Sequence, residues 1–299
     1  MKQIVIISGK GGTGKTVFAG SIAALAESAV IADCDVDASN LHFLLHPEVH
    51  EEHAFSGGEE AVVDPDQCTG CMQCKEVCRF QAVEIQFPPP PKGREIPEGR
   101  KARIDPIMCE GCGVCAEICP EKAIRMEPRD AGSWYVSETK AGTMVHAALK
   151  AGEENSGKLV AQVRKKAKAV AEEENKEYVL VDGPPGTGCA VISSLSGVDM
   201  AVIVTEPSFS GIHDMKRVLE LADHFSIKTG VVINKATVNK ENTEEIRKFC
   251  RERNIPLFGE IPYSKRVVEA VSECVPYVEY ADDEVSNALK DSWRNICKT

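Results

Sequence analysis

The chain has 299 residues, 46 acidic against 35 basic, with a formal charge of -11 at pH 7. That length holds one large α/β core, or one core plus a small module, and the acidic balance argues against a nucleic-acid binder, which needs a basic face to meet phosphates. No run approaches the roughly 18 apolar residues of a membrane helix and no charged-then-apolar leader opens the chain, so a cytoplasmic protein without membrane insertion is expected, and the thirteen cysteines point to metal rather than disulfides.

Gln3 to Ile7 is a short apolar run of strand type, and from Val17 to Glu27 apolar residues fall at helical spacing. Between them Gly9-Lys10-Gly11-Gly12-Thr13-Gly14-Lys15-Thr16 satisfies the phosphate-loop pattern G-x-x-x-x-G-K-S/T, in the strand, loop and helix setting that the pattern requires. The glycines let successive backbone N–H groups turn towards phosphates, and the following helix offers its positive end to the anion. Lys15 is expected to reach the β- and γ-phosphates, and Thr16 to offer its hydroxyl to Mg2+. Lys10, directly after the first glycine, makes this loop resemble the deviant phosphate loop of the MinD/ParA family, which includes the nitrogenase iron protein. In that family two subunits face each other across two nucleotides. The resemblance implies an ATP-dependent dimer, of two like chains or of this chain with a paralogue, in which Lys10 reaches the phosphates held by the partner, as an arginine finger does.

Ala29 to Asp33 reads as a second strand running into Cys34-Asp35-Val36-Asp37, and acidic residues at the C-terminal end of such a strand face the nucleotide. By the same resemblance Asp35 matches the switch aspartate that orients the attacking water, and Asn40 the asparagine that follows it. Leu41 to Leu45 makes an apolar helical turn. His46, His50 and His53 follow, with Pro47 and acidic filler among them, and are expected in a solvated loop rather than at a metal.

Residues 61 to 127 contain an internal repeat. Cys68, Cys71, Cys74 and Cys78 have the spacing C-x2-C-x2-C-x3-C, and Cys109, Cys112, Cys115 and Cys119 repeat it 41 positions later (109 - 68 = 41). The flanks repeat as well, each half reading as strand, cysteine loop with short helix, and strand. Zinc sites also use C-x2-C pairs, set apart from each other; two tight triplets, each followed by a fourth cysteine, suit an iron-sulfur cube better. The pattern resembles the bacterial two-cluster ferredoxin, in which the fourth cysteine of each run ligates the other cube. That resemblance implies one [4Fe-4S] cluster on Cys68, Cys71, Cys74 and Cys119, and a second on Cys109, Cys112, Cys115 and Cys78. Arg79 stands where the ferredoxin run has proline, and places a positive charge beside the second cluster. Large apolar residues are few here, so the clusters are expected to serve as the module's core. Pro88 to Pro91 reads as a stiff surface connector between the halves.

Beyond the module, Trp134 to Thr139 and Met144 to Leu149 read as a hairpin around Ala141-Gly142, and Leu159 to Asn175 as a long helix capped by Asn155 or Ser156. Tyr178 to Val181 is a buried strand ending at Asp182, the Mg2+-anchoring element of phosphate-loop enzymes. Cys189 lies at the offset from Asp182 where the nitrogenase iron protein has a cluster cysteine; without a second such cysteine it is expected to be a small buried thiol. Strands follow at 200–205, 229–233 and 257–261, with helices near 210–224 and 243–253. Asn234 resembles the family's base-reading asparagine, and Pro262 sits where the family wraps the adenine. Val285, Leu289, Trp293 and Ile296 share one face of a terminal helix, expected to pack on the core rather than on a membrane.

These readings give an α/β fold: a phosphate-loop NTPase domain with a mostly parallel sheet flanked by helices, at 1–60 and 128–299, interrupted by a ferredoxin-like α+β module at 61–127. The expected activity couples ATP-driven dimer switching to electron transfer through two clusters towards a redox protein. An iron-sulfur carrier and a positioning ATPase are the alternatives.

Overall fold

The computed structural model describes residues 1–87, 99–150, 152–153 and 156–299; the proline connector and the candidate cap Asn155 lie outside them. In chain order the elements are β1 (Lys2–Ser8), α1 (Lys15–Leu25), β2 (Ala29–Asp33), α2 (Leu41–Leu45), β3 (Glu48–Val63), α3 (Gln73–Val77), β4 (Val83–Gln86), β5 (Lys101–Ile104), α4 (Val114–Ile118), β6 (Ile124–Thr139) and β7 (Gly142–Leu149). They continue as α5 (Ser156–Glu173), β8 (Tyr178–Pro185), α6 (Cys189–Leu195), β9 (Met200–Thr205), α7 (Phe209–His224), β10 (Lys228–Ile233), α8 (Lys240–Glu252), β11 (Leu257–Glu260), α9 (Arg266–Ser272), α10 (Tyr277–Tyr280) and α11 (Glu284–Cys297). Two compact units result: Met1–His53, Ser133–Leu149 and Ser156–Thr299 in the first, Ala54–Gly132 with Lys150–Asn155 in the second.

Among the described residues nine strands form one sheet in the order β11-β10-β9-β1-β8-β2-β7-β6-β3, and every pairing from β11 to β7 is parallel. Parallel strands covered on both faces need no polar side, so β1, β2 and β9 carry the apolar runs Ile4 to Ile7, Ala29 to Ala32 and Met200 to Val204 and are buried almost end to end. Gly14 opens α1 at φ 89, a left-handed geometry that costs glycine nothing, and a Cβ there would lie 2.2 Å from Asn234 Nδ2. Phe18, Ala19 and Ile22 of α1 share a core with Ile4, Ile6 and Leu180; full burial stabilises a side chain such as Phe18 or Ile22 by ~1.5–3 kcal/mol. Asp283 caps α11, accepting from Val285 N and Ser286 N at 3.1 and 3.2 Å. Val285, Leu289 and Ile296 enter that same core with Trp293 packed against it, so the apolar face of the terminal helix is covered from within. No helix among the described residues is long and apolar enough to cross a membrane.

The histidine loop expected in the first unit is not found. His50 and His53 are not in a loop: Pro47 ends the helical turn, and β3 runs as a sixteen-residue strand from Glu48. The acidic filler is an edge-strand signature, charge that discourages pairing with another chain. His53 stacks on Trp134 with ring centroids 4.0 Å apart, Lys166 Nζ donates to Glu51 Oε2 at 3.0 Å, and His46 meets the Cys274 carbonyl at 2.8 Å through Nε2.

In the second unit the 41-residue repeat is a repeat of backbone geometry. Gly70 and Gly111 (φ 72 and 64), Met72 and Gly113 (φ 68 and 74), and Gln81 and Lys122 (φ 57 and 51) take left-handed conformations at matching positions. The halves exchange hydrogen bonds, Asp64 N to Ala123 O and Asp105 N to Ala82 O, each 2.7 Å. Strands β4 and β5 pair antiparallel, Val83 opposite Ile104. The core of this unit is Ala61, Met72, Cys74, Ala82, Val83, Ala102, Cys109 and Ile124, with Cys68, Cys78, Cys115 and Cys119 packed against it. Most of its bulk is therefore sulfur and small aliphatic groups.

Candidate functional site

The phosphate loop leaves β1 and delivers Lys15 to the first turn of α1, where its Nζ lies 2.6 Å from Asp182 Oδ1 and 3.5 Å from Asp35 Oδ2. Asp182 reaches that point because β8 pairs with β1 on one side and with β2 on the other, placing Asp33 beside Asp182. Burial works against the Lys15 charge, but Asp182, Asp35 and Asp33 outweigh it and hold its pKa above the ordinary lysine value. Three carboxylates against one ammonium leave negative charge in excess. Burial, and then Asp182, push the Asp33 carboxyl up to about 7, against hydrogen bonds from Ser39 Oγ (2.6 Å) and Asp35 N (3.1 Å). Burial followed by Asp182 likewise raises Asp35, with Lys15 opposing.

The second carboxylate oxygen of Asp182, Oδ2, is buried and has no hydrogen-bond partner among the described residues, and Thr16 Oγ1 is 3.4 Å from the same Lys15 ammonium. Hard oxygen donors beside excess negative charge fit Mg2+.

Lys10 Nζ sits 2.7 Å from Glu206 Oε1 of its own chain and donates to Ser208 Oγ at 3.3 Å and Ser210 Oγ at 2.9 Å. Lys235 Nζ takes the other oxygen of Glu206 at 2.8 Å and donates to Gly12 O at 3.0 Å. Burial would raise the Glu206 pKa, yet the hydrogen bonds from Lys10 and Lys235 bring it below the ordinary value.

Asn234 Nδ2 donates to Thr13 O at 2.7 Å. With Gly14, Pro262 and Tyr263 it lines a cleft beside the phosphate loop, floored by Phe18 and Ile261. Gly9, Gly11 and Gly12 complete the loop, and Gly9 passes so close to Asp214 that a Cβ would come within 2.5 Å of it.

Glu206, Ser208, Ser210 and Lys235 have no role in the sequence expectations, and Asp33 enters them only as one of the acids at the end of its strand. Only Asp33 and Glu206 carried a signal, each an acid at the end of a buried strand. Cys189 is a correction: it heads α6 and is exposed, not buried.

In the second unit Cys68, Cys71, Cys74 and Cys119 line one cavity, and Cys78, Cys109, Cys112 and Cys115 line another. The fourth cysteine of each run thus faces the other run's triplet. Among the described residues no group of three or more His, Cys, Asp or Glu side chains is gathered to hold a metal ion. Four thiols spread round a cavity suit a polynuclear centre, and the soft donor set fits iron and sulfide. Arg79, next to Cys78 in the chain, is exposed.

Residues 4–277 match the model of the CobQ/CobB/MinD/ParA nucleotide binding domain. An uncharacterized protein of Methanocaldococcus jannaschii is 30% identical over 300 residues, 98% of this chain and 96% of the relative. The iron-sulfur cluster carrier protein of Rickettsia conorii is 28% identical over 111 residues, 36% of this chain and 34% of its own length. Among solved structures, the septum site-determining protein MinD of Pyrococcus horikoshii with Mg-ADP superposes with a TM-score of 0.59 at 16% identity, covering 99% of this chain and 96% of that one. At that identity the likeness is one of fold.

Proposed function

The chain belongs to the CobQ/CobB/MinD/ParA family of nucleotide-binding domains, and from that premise we propose that it is an ATPase whose nucleotide-driven dimer switching is coupled to electron transfer through two [4Fe-4S] clusters. The observation that carries the iron-sulfur part is the crossed grouping of eight thiols, Cys68, Cys71, Cys74 and Cys119 round one cavity and Cys78, Cys109, Cys112 and Cys115 round the other. Bound there, the clusters supply one-electron chemistry. The module at 61–127 holds them, and 1–60 with 128–299 forms the ATPase domain.

In this reading the loop from Gly9 to Thr16 binds the phosphates of ATP, Thr16 and Asp182 hold Mg2+, and Asn234 and Pro262 embrace the adenine. Asp35 orients the attacking water. Lys10 leaves Glu206 to meet the nucleotide of a second subunit, an identical chain or a paralogue. Coupling follows from connectivity: the module is inserted between Asp35 and Asp182, the two residues whose loops respond to the γ-phosphate. The electron partner is a redox protein, with neither nucleic acid nor membrane insertion involved.

The test is anaerobic: ATP hydrolysis with the clusters oxidised and then reduced, and cluster midpoint potentials with and without ATP. Each quantity should depend on the other's state. Mutual independence would leave two modules that merely share a chain. The similarity to an iron-sulfur cluster carrier favours a second reading, in which the clusters are cargo; rapid loss of iron to a chelator and its transfer to an apo-ferredoxin would select it.

A further inference from the structure

The two thiol sets are related by the repeat, yet their rims differ in one consistent way. Phe80 and Val114 line the cavity of the Cys78, Cys109, Cys112 and Cys115 set and are 41% and 45% exposed, and Ile107 and Met108, which lead into Cys109 in the chain, are 77% and 48% exposed. Forty-one positions away the same sites hold Glu121 and Gln73, which line the cavity of the Cys68, Cys71, Cys74 and Cys119 set, and Asp66 and Gln67, which lead into Cys68, all four exposed. The matching backbone conformations at 72 and 113 and at 81 and 122 make these structural equivalents. Polar side chains satisfy the fold at all four sites in one half, so folding does not require apolar ones in the other. Exposed apolar groups kept without a folding reason mark an interaction surface.

We propose that this apolar rim is the docking face of a redox protein, and that electrons pass between partner and chain at the Cys78, Cys109, Cys112 and Cys115 set. The inference rests on the iron-sulfur reading above. The occupant follows from position and charge. A face at one thiol set brings its occupant within electron-transfer reach of that set, whose Cys112 is exposed and lines the same cavity as Phe80 and Val114. Arg79 and Glu110, next to Cys78 and Cys109 in the chain, are exposed and opposite in charge, and Arg129, which donates to Cys109 O, is paired with Glu153, on a chain of net charge -11. A neutral apolar face does not select by charge; it fits a carrier whose cofactor edge is framed by uncharged apolar groups. The exchange is a single electron, one centre oxidised and the other reduced, with no bond made or broken.

The test compares the reconstituted full chain with the variant Phe80→Glu, Ile107→Asp, Met108→Gln and Val114→Gln, which borrows the twin half's residues and so keeps the fold. The probe is a gold electrode carrying a methyl-terminated alkanethiol layer, with carboxylate- and amine-terminated layers as controls. Adsorbed mass is read by quartz microbalance and interfacial electron transfer by voltammetry. The parent should bind the methyl layer with little salt dependence, and the variant should lose about tenfold in adsorption and in interfacial rate, since apolar contact carries the association. Equal behaviour of the two, or parent binding that prefers a charged layer and falls with salt, overturns the proposal. So does self-association of the parent that the variant abolishes, which would make the face an interface between copies. Iron and acid-labile sulfide are assayed first: a chain that takes up none removes the iron-sulfur reading and this port with it, while full uptake with equal adsorption removes the port alone.

Discussion

Glu206 divides its carboxylate between two lysines of its own chain, Oε1 to Lys10 Nζ at 2.7 Å and Oε2 to Lys235 Nζ at 2.8 Å. Lys10 is therefore held in cis, and in the proposed dimer it has to exchange this partner for a phosphate. A part-exposed ion pair is worth ~0.2–1 kcal/mol. Glu206→Gln should then let ATP drive dimerisation at a concentration up to about fivefold lower, that energy read as an equilibrium constant. Lys10→Ala should weaken dimerisation instead. Sedimentation velocity with ATP and Mg2+ checks both; a Glu206→Gln chain that dimerises less readily would make the Glu206 contact part of the active arrangement.

Lys15 neutralises a buried carboxylate cluster, so its removal is a stability question before it is a catalytic one. Lys15→Ala leaves Asp182 buried and uncompensated, which costs about 3–5 kcal/mol when a buried pair is broken. Nucleotide binding should be lost as well. Because the free oxygen of Asp182 and the hydroxyl of Thr16 remain, millimolar Mg2+ should recover part of the lost melting temperature in the variant. Thermal melts with and without Mg2+ read this directly, and a variant indifferent to Mg2+ would sever the assignment of Asp182 to the cation.

Asp33 gives the nucleotide-free chain a pH dependence of a definite sign. Its folded carboxyl titrates at about 7, above the roughly 3.9 of an unfolded aspartate. Between these values the folded state binds more protons than the unfolded one, so stability is greatest below the lower value and is lost as pH rises to the upper. The melting temperature of the metal-free protein should fall from about pH 5 to pH 7, by this linkage. Asp33→Asn, which keeps an acceptor for Ser39, should flatten that slope. A slope unchanged by the substitution would assign it to other groups.

The features legible in the sequence are those encoded by local spacing. Gly9 to Thr16 carries its whole meaning in eight residues, and the strand before it and helix after it lie next to it in the chain. The cysteine repeat was legible for the same reason, and the flanking Val62 and Ile104 strands with it. What escaped depends on partners remote in sequence. Glu206 meets Lys10 only because β9 lies beside β1 in the sheet, and Asp33 becomes an unusual acid only when β2 sets it against Asp182. The strand holding His50 and His53 looked like a loop because polar edge strands lack the apolar alternation that marks a half-buried one. Cys189 was read from its distance to Asp182, which fixes its place at the head of α6 but not whether anything covers it.

The crossing of the two cysteine runs has a consequence that sequence adjacency alone would reverse. Cys119 follows Cys115 by four residues, yet it lines the cavity of Cys68, Cys71 and Cys74, while Cys78 lines that of Cys109, Cys112 and Cys115. Cys119→Ser should therefore perturb the cluster of the first run, and Cys78→Ser that of the second. Each run has a private handle for assigning signals: Arg79 lies beside the second set, and a positive charge there should raise that cluster's potential above its twin's. Stepwise reduction followed by EPR should show two midpoints in the parent, with the higher lost or shifted in Cys78→Ser and the lower in Cys119→Ser. The reverse assignment would uncross the ligand sets. Iron removal extends the argument to stability, because the core of this unit is built from Cys74, Cys109 and small aliphatic side chains. Chelation should abolish protection from hydrogen exchange across residues 61–87 and 99–127, while β1, β8 and β9 keep theirs. Protection that persists in the second unit after complete removal of iron would show that its few apolar side chains suffice to fold it.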